Sequence, residues 1–171
     1  MTEIAPAEPV GPAPAPMPTP TAPAAATDKS TGMTTDILGE PWVARRIDVV
    51  PDEVAAPGAD HAVLVHQRGA VPTAQGAPRH DRAVLYLHGR NDYFFQTHLA
   101  DAFLSAGYEF YALDLRTCGR AGVGYPSPHD VRDLRVHDEE IGEALRIIRS
   151  EHGHGVVVLN GHSTGCLLYT S

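Results

Sequence analysis

Gly161-His162-Ser163-Thr164-Gly165 carries the clearest chemistry in this chain, because it fits the pattern Gly-x-Ser-x-Gly. A serine on a sharp turn that directly follows a strand has its hydroxyl lifted above the sheet, where it can attack a carbonyl carbon. Gly161 and Gly165 suit such a turn, since a Cβ at either place would crowd it. His88-Gly89 is the second element, closing an apolar run. A glycine loop beside the nucleophile lets backbone N–H groups face the oxyanion that forms on attack. The amides of Arg90 and Thr164 are the natural pair of donors. Asn91, Tyr93, Phe94 and Phe95 follow that loop and are candidates to line an acyl pocket, although aromatic residues there suit a core equally well. The chemistry implied is acyl transfer from a small ester or amide substrate to Ser163, with no cofactor.

A serine hydroxyl is a poor nucleophile until a histidine accepts its proton and a carboxylate orients that histidine. After Ser163 the chain reads Thr, Gly, Cys, Leu, Leu, Tyr, Thr and Ser, which contains neither partner. The 10 histidines upstream do not readily substitute. His162 lies inside the turn, with its ring expected to point away from its neighbour's hydroxyl. His88 is expected to be structural. His152 and His154 flank Gly153 at the end of a helical pattern, where a positive charge favours the helix dipole. Asp133, His137, Asp138, Glu139 and Glu140 have spacings that could be drawn as a metal site, but they read first as the solvated face of a helix, so no metal is expected. Gly119, Gly122 and Gly124 lack the G-x-G-x-x-G spacing of a dinucleotide site.

These residues must be held by elements, and the apolar pattern marks them out. Trp42–Val50 and Asp60–His66 read as strands, with Pro51, Pro57 and Gly58 supplying turns between them. Ala83–Leu87 is apolar throughout, as expected of a strand buried on both faces. A helix is predicted over Gln96–Ala106, a strand over Tyr108–Leu115, a second amphipathic helix over Val131–Ser150 and a last strand over Gly155–Asn160. Strands alternating with helices predict an α/β fold with a mostly parallel sheet, and ligands bind beyond the carboxyl ends of such strands. His88-Gly89 and the Ser163 turn both lie at such ends.

Composition narrows the setting. Lys and Arg total 13 against 21 Asp and Glu, a net charge of −8, which argues against nucleic acid or an anionic membrane surface as the main partner. No apolar run approaches a membrane span, and the first residues lack a secretory pattern. With two cysteines, Cys118 and Cys166, the chain is expected in the cytoplasm. Residues 1–36 hold a Pro/Ala-rich run expected to be a disordered tail without function.

Four segments together, LYLHG (Leu85–Gly89), NDYFFQTHLADAF (Asn91–Phe103), YALDLRTCGR (Tyr111–Arg120) and LNGHSTG (Leu159–Gly165), resemble α/β-hydrolases of the serine aminopeptidase and monoacylglycerol lipase-like branch. The resemblance implies that Ser163 is the nucleophile and that the Arg90 and Thr164 amides form the oxyanion hole. It also implies that the triad Asp and His follow Ser163 in the chain. Thr117 stands where many relatives have glycine. Residues 37–165 are then expected to be the N-terminal half of the hydrolase domain. Cys166–Ser171 is what TGT CTC TTA TAC ACA TCT encodes, part of a transposase sequencing adapter, and is expected to be an artefact. Such a half domain is expected to aggregate and to be inactive by itself. The alternative is a non-catalytic α/β-hydrolase-fold protein that binds a ligand or partner.

Overall fold

Apolar residues in this chain alternate so that each central strand feeds two cores. In β5 (Arg82–Leu87), Ala83, Leu85 and Leu87 face one side, while Val84 and Tyr86 face the other. In β6 (Glu109–Asp114), Tyr111 and Leu113 join the first core, and Phe110 and Ala112 the second. This is the physical reason for the unbroken apolar runs: a strand covered on both faces has no solvent side. A computed structural model of the chain describes residues 27–28, 32–54, 56–71, 78–125 and 131–169.

Among the described residues seven strands form one sheet. β1 (Thr27–Asp28), β2 (Met33–Thr35), β3 (Trp42–Asp48) and β4 (His61–Gln67) are joined antiparallel in chain order, and β4 pairs antiparallel with β6. β5 pairs in parallel with both β6 and β7 (Val156–Gly161), so the three strands of the α/β portion run the same way and the order is β1-β2-β3-β4-β6-β5-β7. Register places Leu87 beside Gly161 and Leu113, which brings the ends of all three parallel strands to one edge of the sheet. β7 is an edge strand among the described residues, and Val156 and Val158 on it are exposed.

α1 (Thr97–Ser105) belongs to the core of Trp42, Phe94 and Phe110, with Ala100 buried there. α2 (Asp138–Arg146) lies with the opposite core, contributing Ile141 and Ala144. Helical structure thus covers both faces of the sheet.

Three expectations change. The second helix, expected over Val131–Ser150, is α2 with a 3-10 turn before it (Leu134–His137) and a π turn after it (Ile147–Glu151). Asp133 stands outside it as the cap, accepting the Arg135 N–H at 3.0 Å. Met33–Asp36, counted with the tail, are part of the fold: Met33–Thr35 is β2, and buried Asp36 binds Arg120 through Nε at 2.5 Å and Nη2 at 2.7 Å. The proline-rich residues 1–26 lie outside the described residues. His152 and His154 are not solvent-facing residues at a helix end. Both are buried, and both meet the Tyr111 hydroxyl, at 2.9 and 2.8 Å.

Thr117 has φ 68 and is almost wholly buried. A β-branched residue in the left-handed region is strained by contact between its Cβ and the backbone, which accounts for glycine suiting this position. T117G is expected to raise the unfolding free energy by about 1 kcal/mol, as measured by urea denaturation.

Candidate active site

Ser163 sits where β7 ends, with φ 55, and is exposed. A non-glycine residue held at positive φ is uncommon and marks a turn that its surroundings over-determine. Those surroundings are two glycines and a neighbouring loop. A Cβ on Gly161 would lie 2.7 Å from backbone atoms of Gly165 and Cys166, and one on Gly165 would collide with the Leu87 carbonyl oxygen. A Cβ on Gly89 would meet the Ser163 Cβ at 3.0 Å. The glycines of both motifs are therefore demanded by close approach, and it is this approach that brings the His88-Gly89 loop onto the serine turn.

His88 sets the orientation of that loop. Its Nε2 accepts the Leu115 N–H at 3.1 Å, so its proton is on Nδ1, which donates to the Gly89 carbonyl at 2.7 Å. Burial lowers its pKa, which favours this neutral form. The Gly89–Arg90 peptide is planar and trans, so tying its carbonyl back to the ring turns the Arg90 N–H the opposite way. The expectation of a structural role for His88 holds, with orientation of this peptide as the role.

Asp114 pins the segment after Gly89 to the end of β6. Its buried carboxylate accepts the Phe94 N–H at 3.0 Å, and the Arg120 N–H and Nη1 at 3.0 and 2.7 Å.

Arg90, Thr164 and Asn91 line a cavity of about 340 Å³ whose apolar wall includes Leu115, Leu134 and Leu168. Three pocket candidates lie elsewhere. Phe94 is fully buried in the core, its ring 5.2 Å from that of Trp42 and 5.1 Å from that of Phe110. Tyr93 pairs instead with exposed Phe95, the rings 5.4 Å apart. Cys118 also borders the cavity, and burial pushes its thiol up to about 11, which keeps it protonated and inert.

Ser163 forms no hydrogen bond to a histidine among the described residues. The His162 ring is exposed, with Nδ1 3.7 Å from an Asp92 carboxylate oxygen.

The cluster around His137 is a correction. His137 and Glu140 are buried and not part of a solvated face. His137 Nδ1 lies 2.8 Å from Glu140 Oε1, and the same carboxylate takes the Arg116 Nε at 3.0 Å and Nη2 at 2.6 Å. Burial would raise the Glu140 pKa, but His137 and Arg116 outweigh it and hold the carboxyl below its usual range. His137 also borders the cavity beside Thr164. The three-residue spacing of His137 and Glu140 was visible in the sequence; Arg116, 24 positions from Glu140, was the missing partner.

A family model described as serine aminopeptidase, S33 matches residues 78–171, more than half of the chain. No curated protein matches the chain. Among solved structures it is similar to a lipase in its open form, with TM-score 0.50 and 21% identity over 73% of this chain and 38% of that one. It is also similar to a cold-adapted esterase from an Arctic intertidal metagenomic library, solved with bound PEG, with TM-score 0.48 and 19% identity over 76% of this chain and 54% of that one. The chain thus spans less than two thirds of either neighbour's length. At such identity the lipase likeness is one of fold, and it agrees with the strand–turn–serine arrangement described above. The match over residues 78–171 makes this chain a member of the serine aminopeptidase S33 family of α/β-hydrolases.

Proposed function

We propose that the protein is a serine hydrolase of carboxylic or lipid esters, with peptides and other amides as the wider class. Ser163 attacks the carbonyl carbon, and the backbone N–H groups of Arg90 and Thr164 stabilise the tetrahedral oxyanion. Each such donor contributes on the order of 3–4 kcal/mol to the transition state. The observation that carries this reading is the positive φ of Ser163, held by glycines that admit no Cβ, with the Gly89 loop against it. The triad Asp and His come from chain outside these 171 residues, a reading supported by the absence of a histidine bonded to Ser163 among the described residues.

No helix among the described residues is long and apolar enough to cross a membrane. A cytoplasmic enzyme acting on a small substrate fits the composition. The test is hydrolysis of p-nitrophenyl butyrate by the protein expressed from its complete reading frame. S163A is expected to lower kcat at least about a thousandfold, and retained activity would overturn the assignment.

A further inference from the structure

Two imidazoles border the cavity lined by Arg90 and Thr164, and they differ in what they have left to offer. His88 uses both nitrogens, one on the Leu115 N–H and one on the Gly89 carbonyl. His137, only 4% exposed, uses one. Glu140 is held as a carboxylate by Arg116, so it accepts, and His137 Nδ1 must donate to it at 2.8 Å. Nε2 of His137 then has no hydrogen-bond partner among the described residues. Among the described residues the fully enclosed unpartnered atoms are His66 Nε2 and His154 Nδ1, so His137 Nε2 is not fully enclosed, and its residue lines the cavity. Glu140 and Arg116 are fully buried and leave the ring little freedom to turn elsewhere.

A nearly buried polar atom facing a ligand-sized cavity loses hydration that a bound group can restore. We infer that His137 Nε2 is the specificity contact of the acyl subsite, and that the protein favours short acyl groups bearing a hydroxyl. This rests on the hydrolase reading above. A hydroxyl matches the nitrogen in either protonation state, since it donates to a bare Nε2 and accepts from an Nε2–H. The volume of about 340 Å³ lies near the lower end for ligand pockets and suits a short chain, and Leu115, Val131 and Leu134 give its methylenes an apolar wall. Ser163 makes no hydrogen bond to this ring, so His137 is a binding residue here.

The test is calorimetric binding of butyrate and the hydroxybutyrate isomers to the protein expressed from its complete reading frame. At least one isomer is expected to bind about tenfold or more tightly than butyrate, because a site built to pair a hydroxyl rejects the analogue lacking it. H137F is expected to bring that isomer down to the level of butyrate, and H137Q to recover part of the difference. The wild-type comparison decides even if a variant fails to fold: no isomer exceeding butyrate, whether all bind alike or none binds, overturns the inference. Fluorophosphonate labelling of the same sample separates the two readings. An adduct on Ser163 without hydroxyl preference removes this inference alone, whereas a preference without an adduct removes the hydrolase reading and this one with it.

Discussion

Replacing Arg116 with methionine is expected to lower the unfolding free energy by about 3–5 kcal/mol. Arg116 is fully buried and gives Nε and Nη2 to Glu140, Nη2 also to Glu139 at 2.9 Å, and Nη1 to the Val50 carbonyl at 3.3 Å. It lies just after β6, while Glu140 lies in the first turn of α2, so the pair ties the helix to the end of the strand that anchors the site. Removing the guanidinium strands a carboxylate with 0% exposure, left with His137 and the backbone N–H of residue 116 at 3.3 Å as partners. Removing both members costs far less, because well-packed apolar groups of similar size offset the lost pair. R116M/E140L is therefore expected to regain most of what R116M loses, with urea denaturation near neutral pH as the measurement. A loss under about 1 kcal/mol in R116M would mean that the pair is hydrated and the buried network does not exist.

Mild acid is expected to destabilise the protein before its carboxylates titrate. His66 and His152 are buried with ring centroids 5.2 Å apart. Burial, aided by nearby Arg45 and the other histidines, lowers His66 to about 4 and His152 to about 3. The Gln67 carbonyl opposes the shift at His66, and Glu151 opposes it at His152, without reversing it. Both folded pKa values lie below the unfolded value of about 6.5. The unfolded chain therefore binds more protons as pH falls through 6.5, and stability that is complete above that point is progressively lost down to about pH 4 for His66 and pH 3 for His152. Two such groups give a slope approaching about 2.7 kcal/mol per pH unit. H66F is expected to reduce the slope to about one proton. A flat profile between about pH 6.5 and 4.5 would show that both rings are protonated in the fold.

How much of this was readable from the sequence depended on the range of the interactions involved. The serine turn was legible because its requirement is local: a strand of valines, then glycines where no Cβ fits, and both appear in the structure as read. The parallel strands were legible because a strand covered on two faces must be apolar throughout. The polar core was not. Glu140, His152 and His66 show no partner locally until Arg116 and Tyr111 are brought to them from 24, 41 and 45 positions away, and a charged or polar residue is buried only where such a partner waits. The extent of the second helix was missed for a related reason. The chain leaves the α-helical path in the 3-10 turn Leu134–His137, which ends where His137 meets Glu140. Phe94 was equally suited to pocket or core by type, and packing with Trp42 and Phe110 decided it.

The central claim is that Ser163 is the nucleophile and takes its base from chain beyond these 171 residues. The most direct measurement is mass spectrometry of the protein after exposure to a fluorophosphonate, made both on the 171-residue chain and on the product of the complete reading frame. The account predicts an adduct on Ser163 in the complete product and none in the 171-residue chain. An adduct on another residue, or an unmodified Ser163 in the complete product, would contradict it.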